Sequence, residues 1–343
     1  MYMTKFLQIA LLATVGFVFT TNLARSQDQQ YTQFYANPMY LSPAFAGTSI
    51  QSRVAMSYRN QWPAIPKAFV SYNFAFDHFV SEVNSGVALT VQHDQAGTGG
   101  MSYTSAALHY AYEINITRKI SLRPALSFGF GSSFLDVDKL TFIDQLARED
   151  DGASTLDPDR SRFVQKPVNY PDFGAGLLVF SEAFWFGASV QHLNEPVHSL
   201  TGGDTQLPKK IGMHGGVRFK LSDVSAFKSR QFIVPAFNYQ MQGLFDQLDL
   251  GFYYEYDPVV IGLWYRGIPL LKNNGYNYLN HDAIAVLVGY EINNMKIGYS
   301  YDLTVSKFSP NSGGAHELTL TMEFASKRNK KRNKRRVMPC AKF

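Results

Sequence analysis

The feature that most constrains this chain is a period-two alternation of apolar and polar side chains that recurs from near Ile50 to Phe324. No segment beyond the first residues keeps an apolar period of about 3.6, so strands and not helices must carry the fold. From His316 to Phe324, Leu318, Leu320, Met322 and Phe324 share one face, while Glu317, Thr319, Thr321 and Glu323 share the other. From Asp246 to Tyr256 the same split sets Leu248, Leu250, Phe252, Tyr254 and Tyr256 against Gln247, Asp249, Gly251, Tyr253 and Glu255. A soluble sandwich and a membrane barrel can both alternate in this way, so strand length and loop length must decide between them.

Fourteen candidate strands begin near Ile50, Lys67, Asn84, Ser102, Arg118, Asp172, Phe184, Lys209, Gln231, Asp246, Val259, His281, Asn294 and His316. Most are nine to twelve residues long, enough for a strand tilted by about 45° to cross a bilayer. Long connections (Gln61 to Pro66, Asp94 to Met101, Ser133 to Pro171, Leu193 to Pro208, Ile268 to Asn280, Thr304 to Ala315) alternate with tight ones such as Glu182-Ala183, Asp257-Pro258 and Ile292-Asn293. An even strand number with long loops at one end and short turns at the other is the pattern of bacterial outer-membrane barrels. The expected fold class is therefore all-β: a transmembrane antiparallel β-barrel of 14 strands over residues 50–324, with a proline-containing N-terminal segment and a basic C-terminal tail. Three connections fit less well: Asp77 to Val83 and Leu221 to Arg230 are long for periplasmic turns, and Met241 to Phe245 is short for an outer loop.

Composition agrees, with 17% charged and 15% aromatic residues. Soluble domains average about 25% charged residues. Residues 1–26 read as a Sec signal peptide: Lys5, an apolar stretch from Phe6 to about Phe19, then Ala24-Arg25-Ser26. The expected location is the outer membrane after cleavage near Ser26, which would make Gln27 the first mature residue. No Cys follows that site to carry a lipid, and Cys340 is the single cysteine. Nine of the 32 Lys and Arg residues lie in 325–343, where no acid is present, so the basic character is concentrated in a tail expected on the periplasmic side.

Residues 27–49 precede the first strand and contain Pro38 and Pro43, which exclude a regular helix or a central strand. This segment is expected to be a plug or a periplasmic lid, serving either packing or partner binding. Arg59-Asn60-Gln61-Trp62 falls at the outer end of the first strand, where Trp62 suits the interfacial aromatic belt or contact with a surface protein. The long loop Ser133 to Pro171 is rich in acids but lacks the spacing of a calcium loop; it reads as a solvated loop or a docking surface. The histidines do not converge, no HExxH pair or G-x-S-x-G elbow occurs, and neither an enzyme nor a cofactor nor a metal is expected. The tail, with Lys330, Lys331, Arg332, Arg335 and Arg336, is either solvated or a dock for an anionic periplasmic partner; the expected compartment contains no nucleic acid.

Gln33-Phe34-Tyr35-Ala36-Asn37-Pro38-Met39-Tyr40-Leu41-Ser42-Pro43-Ala44-Phe45-Ala46-Gly47, then Tyr58-Arg59-Asn60-Gln61-Trp62-Pro63, closely resemble the PorP/SprF family of type IX secretion system membrane proteins from the Bacteroidota. Asp94-Gln95-Ala96-Gly97 and the stretch from Pro171-Asp172-Phe173-Gly174 to His192-Leu193-Asn194-Glu195-Pro196 extend the resemblance over almost the whole mature chain. The resemblance implies a role at the outer membrane in exporting or retaining a large adhesin that carries a type B C-terminal sorting domain. The alternatives are a structural or assembly subunit of the secretion and gliding machinery, engaging other periplasmic components, or a solute channel. Carried over from the motifs, the residues expected to meet a partner are Tyr35, Asn37, Pro38, Pro43, Arg59, Asn60, Gln61, Trp62, Asn194 and Pro196, together with the five tail residues named above. The extension beyond Phe324 departs from the usual barrel ending at a terminal aromatic residue.

Overall fold

The computed structural model describes residues 28–49, 52–65, 69–97, 100–140, 163, 166–224, 229–268, 283–305 and 313–324. The strands are β1 (Ser52–Gln61), β2 (Phe69–Val80), β3 (Ser85–Ala96), β4 (Met101–Tyr112, extended by Ile114–Asn115), β5 (Ser121–Leu135), β6 (Val168–Phe180) and β7 (Phe184–Gln191). They continue as β8 (Lys210–Val217, resumed at Phe219–Val224), β9 (Ser229–Gln242), β10 (Phe245–Tyr256), β11 (Val259–Ile268), β12 (Ala283–Ile292), β13 (Met295–Thr304) and β14 (Ala315–Phe324). Each pairs antiparallel with its sequence neighbours, and β14 returns to pair with β1 from Ser52 opposite Phe324 to Gln61 opposite Ala315. The result is a closed 14-stranded barrel in which every strand has two partners. Closure is what a bilayer demands, because lipid cannot satisfy the backbone groups of a sheet edge.

The alternation resolves in the sense opposite to that of a soluble protein. On β14, Glu317 and Thr319 are each 1% exposed, whereas Leu318 is 50% exposed. The polar face looks into the lumen, and the apolar face, with Leu126, Phe128, Phe130, Phe173 and Leu263, looks out to lipid. The lumen is not polar throughout, however. The walls of β1 to β5 carry small or polar inward residues such as Ala55, Asn73, Thr90 and Ala111, but β7, β10 and β11 turn Trp185, Tyr253 and Trp264 inward. Trp264 lies over Gly251 on the neighbouring strand; a side chain there would collide with the indole.

Two of the three irregular connections have simple physical origins. β2 runs on to Val80, a 3-10 turn spans Ser81–Val83, and Asn84 closes it in the left-handed region at φ 49°. Gly243, at φ 59°, makes Gly243-Leu244 a tight turn despite its place among the long outer connections. In the third, β8 is broken at Arg218, whose amide bonds to Ala183 and whose guanidinium sits over Phe232; residues 225–228 lie outside the described ones. The expected loop Ser133 to Pro171 is shorter than its sequence suggests, because β5 extends to Leu135 and β6 starts at Val168. Pro171 falls inside β6 opposite Phe130, beyond the point where the β7 pairing stops at Ala175 and Val190, an edge position that tolerates a missing donor.

Phe128 stands at the centre of β5 on the lipid face. Phe128→Arg should lower folding stability in lipid vesicles by about 2–4 kcal/mol, the cost of a cation near the bilayer midplane. Phe128→Leu should change it by less than about 1.5 kcal/mol. Urea titration in bilayers measures both.

A plug-filled lumen as the candidate functional site

Residues 28–49 do not lie beneath the barrel. They run through its lumen from the end carrying the long connections to the end where β1 begins, and from Tyr31 to Gly47 every residue is buried. By the usual placement of short turns in the periplasm, Asp28 stands at the outer mouth and Gly47 at the inner one. Pro38 opens a single helical turn, Pro38–Leu41, at a position where its missing N–H costs nothing, and Pro43 opens the 3-10 turn Pro43–Phe45 in the same way. The two prolines thus shape a compact plug.

The plug is held differently at each depth. At the outer mouth the Asp28 carboxylate accepts from His192 Nε2 at 2.9 Å and Gln242 Nε2 at 3.1 Å, with Lys210 Nζ 3.6 Å away. The Asp28 amide donates to Gln242 Oε1 at 3.0 Å, and His192 Nδ1 lies 3.0 Å from Asp172. Burial by itself would lower the His192 pKa, but the charge of Asp28 and the bonds to Asp172 and Asp28 outweigh it and raise the value to about 10. Asp28 shows the converse: burial disfavours its charge, yet His192 and Lys210 hold its carboxyl well below the ordinary range.

Deeper in, Thr32 and Gln33 meet a buried ionic cluster formed by β1, β11, β13 and β14. Arg59 bonds Asp302 at 2.8 Å and Glu317 at 3.1 Å, and Arg266 reaches Asp302 at 3.2 Å. The Thr32 hydroxyl receives Arg59 at 2.6 Å and Arg266 at 2.7 Å, while the amides of Thr32 and Gln33 donate to the two oxygens of Glu317 at 2.7 and 3.1 Å. Phe34 and Tyr35 then enter the aromatic wall. Phe34 is 4.8 Å from Trp264, Tyr35 is 5.5 Å from Trp185 and 6.0 Å from Tyr253 in edge-on contacts, and the Tyr35 hydroxyl donates to the Phe237 carbonyl at 3.2 Å.

Beyond the aromatic wall the segment turns back toward the outer mouth, where the Tyr40 hydroxyl donates to the Gln29 carbonyl at 3.1 Å and the wall reads the plug backbone. Gln191 donates to the Tyr40 carbonyl at 3.1 Å and Ser189 to the Leu41 carbonyl at 2.6 Å. At the base, Arg123, paired with Glu113 at 3.0 Å, donates to the Ala46 carbonyl. The Gly47 amide donates to Asp77 at 3.0 Å, and Asp77 also holds Arg53 at 2.7 Å. Gly47, at φ 65°, passes so close to Gly86 that neither position has room for a side chain.

Two spaces remain. A polar cavity of about 80 Å³ separates the plug from the β2 to β5 wall, near Asn73, Thr90 and His109. Above the plug lies an outer vestibule of about 540 Å³, floored by Asp28, Gln29 and Gln30 and walled by Arg59, Gln61, Trp62, Asp94, Gln240, Gln247 and others. Among the described residues no group of three or more His, Cys, Asp or Glu side chains could hold a metal ion.

Of the residues expected to meet a partner, Tyr35, Asn37, Pro38, Pro43 and Arg59 are buried within the lumen, where they form the plug or grip it. Asn60 alternates with Arg59 and points away from the lumen, whereas Gln61 and Trp62 line the vestibule, with the Trp62 ring 5.4 Å from Phe69. Asn194 is exposed and clips the outer end of β6, donating to the Pro171 carbonyl at 2.8 Å. Pro196 is buried and accepts from the Leu207 amide at 2.9 Å in a loop that folds back on itself. Lys330, Lys331, Arg332, Arg335 and Arg336 lie outside the described residues. Asp28, Thr32, Asp302, Glu317, Arg266 and His192 were not singled out from sequence. The available signal was charge at lumen-facing strand positions, which demands a buried counter-charge.

An apolar belt around a closed barrel whose own N-terminal segment fills its lumen defines a plugged outer-membrane β-barrel protein. The family described as type IX secretion system membrane protein PorP/SprF matches residues 23–322, and the chain belongs to it. In structure it is similar to the Ralstonia pickettii toluene transporter TbuX, with 12% identity and a TM-score of 0.46 over 84% of this chain and 93% of that one. It is also similar to the Acinetobacter baumannii outer membrane protein Omp33, with 8% identity and a TM-score of 0.44 over 81% of this chain and 100% of that one. No curated protein matches the chain.

Removing Arg59 leaves Asp302 and Glu317 short of their main counter-charge, and cutting one partner from a buried pair costs about 3–5 kcal/mol. Arg59→Ala should therefore loosen the plug, producing current bursts in planar bilayers and new protease cleavage within 28–49, while the barrel stays folded by heat-modifiable mobility. The His192 tether has a defined pH window. Its raised pKa means that its stabilising charge is complete below the unfolded value and is lost as pH rises through about 10. The depressed Asp28 pKa makes its own contribution complete above the unfolded carboxyl value and lost only in stronger acid. A His192 ring titration by NMR should give a midpoint near 10, falling toward the ordinary histidine range in Asp28→Asn.

Proposed function

We propose that this barrel is a plugged dock of the type IX secretion pathway. It binds an exported surface adhesin through the adhesin's C-terminal sorting domain and retains it at the cell surface, using the outer loops and the vestibule and not an open pore. One observation carries the reading: the lumen is occupied end to end by residues 28–49, which are bonded to the wall at both mouths. A barrel closed in this way offers its surroundings a shaped outer surface with a floor, which suits holding a protein better than passing a solute. The dock acts by binding alone and without a cofactor.

Affinity purification of the tagged barrel from native membranes in mild detergent, followed by mass spectrometry, tests this. A large exported protein should co-purify in stoichiometric amount, and deleting that protein's C-terminal sorting domain should abolish its recovery. A wild-type barrel that emerges alone from exporting cells and carries a steady current in planar bilayers would favour the channel reading instead.

A further inference from the structure

The outer vestibule extends a wall that already bonds main-chain groups of the plug. In the plug, Gln242 takes both the amide and the carboxylate of Asp28, and Gln191 and Ser189 take successive carbonyls at Tyr40 and Leu41. Above Asp28 the same kind of surface continues. Gln29, Gln30, Gln61, Gln240, Gln242 and Gln247 all border the vestibule; Gln29, Gln240 and Gln247 also bond Gln92, Tyr40 and Asp249, whereas the side-chain amides of Gln30 and Gln61 bond to no other described residue. A primary amide carries both a donor and an acceptor, so a ring of them matches the alternating N–H and C=O groups of a peptide.

Much of the charge around this space is already met by opposite charge, and the remaining carboxylates accept from neutral hydroxyls. Asp28 is held by His192 and Lys210, Arg59 by Asp302 and Glu317, and Asp94 accepts from Ser71. Asp246 accepts from the Tyr239 hydroxyl at 3.3 Å. What this leaves for a ligand is neutral hydrogen-bonding capacity beside the Asp94 carboxylate, which disfavours an acidic ligand, bordered by the aromatic rings of Trp62, Phe69 and Phe245. The volume, about 540 Å³, fits a short segment and not a folded domain.

We propose that the vestibule is the receptor for an extended, polar, non-acidic peptide segment of the exported protein, seated on Asp28–Gln30 and bonded through the glutamine side chains. This rests on the reading of the barrel as a dock and identifies where on it the partner inserts. The segment enters in line with the plug and meets the plug's own outer end, so an occupied vestibule also covers the Asp28 tether.

The test uses the full-length barrel in its native cells, in a Cys340→Ser background, with Gln61→Cys labelled by a membrane-impermeant maleimide. Labelling should be fast when the exported protein is deleted and slower by about tenfold or more when it is present. Gln30→Ala with Gln61→Ala removes the two amides that bond no other described residue and should weaken retention of the co-purified protein by about tenfold or more. Equal labelling with and without an exported protein that still co-purifies would overturn the vestibule as the receptor and leave the dock intact. Protection that persists when the exported protein is deleted would overturn it too, since a glycan or this chain's own residues would then fill the space. If no exported protein co-purifies at all, the dock reading itself fails.

Discussion

Everything in this molecule follows from the inability of lipid to accept or donate a hydrogen bond. A sheet placed in that solvent must close, and here closure is the pairing of β1 with β14 along their whole length. Closure with fourteen strands makes a lumen too wide for wall side chains to fill, unlike a barrel of about eight strands. The chain resolves this by returning its own N-terminal segment through the interior. The prolines and small residues of that segment let it fold into two short helical turns within the space.

The plug is secured by three kinds of interaction, each suited to its depth. The outer tether is ionic, and the raised His192 pKa and depressed Asp28 pKa keep both groups charged across the ordinary pH range. The middle combines a buried cluster of two arginines and two acids with edge-on aromatic contacts. Buried ion pairs contribute little net stability against apolar packing, but they are costly to leave half-made. The value of the Arg59 and Arg266 cluster is therefore positional: it accepts Thr32 and Gln33 in one register and penalises any other. The base depends on main-chain carbonyl and amide groups and on the glycine-to-glycine approach at Gly47 and Gly86, a contact that admits no substitution by shape.

This division explains how the outer vestibule is separated from the elements that close the lumen. Residues with the strongest motif character, from Tyr35 to Pro43 and Arg59, serve closure from inside, whereas Gln61 and Trp62, in the same stretch as Arg59, face the outer vestibule. Arg59 and Gln61 share the inward face of β1, two residues apart, so one face serves the plug at one depth and lines the vestibule at the next.

The barrel was legible in the sequence because the period of a strand is local: Leu318 and Thr319 declare opposite faces by their order alone, and turn chemistry marks where each strand ends. The strand starts read from sequence fall within a few residues of those observed, the largest shift being at β6, where Pro171 was taken for a boundary. The direction of the faces needed loop lengths, and these too are local. What only the tertiary structure decided is how the lumen is filled. Thr32 meets Glu317 and Asp28 meets His192 across separations of 285 and 164 residues, and no periodicity encodes such a pairing. Those contacts exist because closure brings distant strands around one axis, and the buried charges that this creates can be satisfied only by whichever segment occupies the space between them.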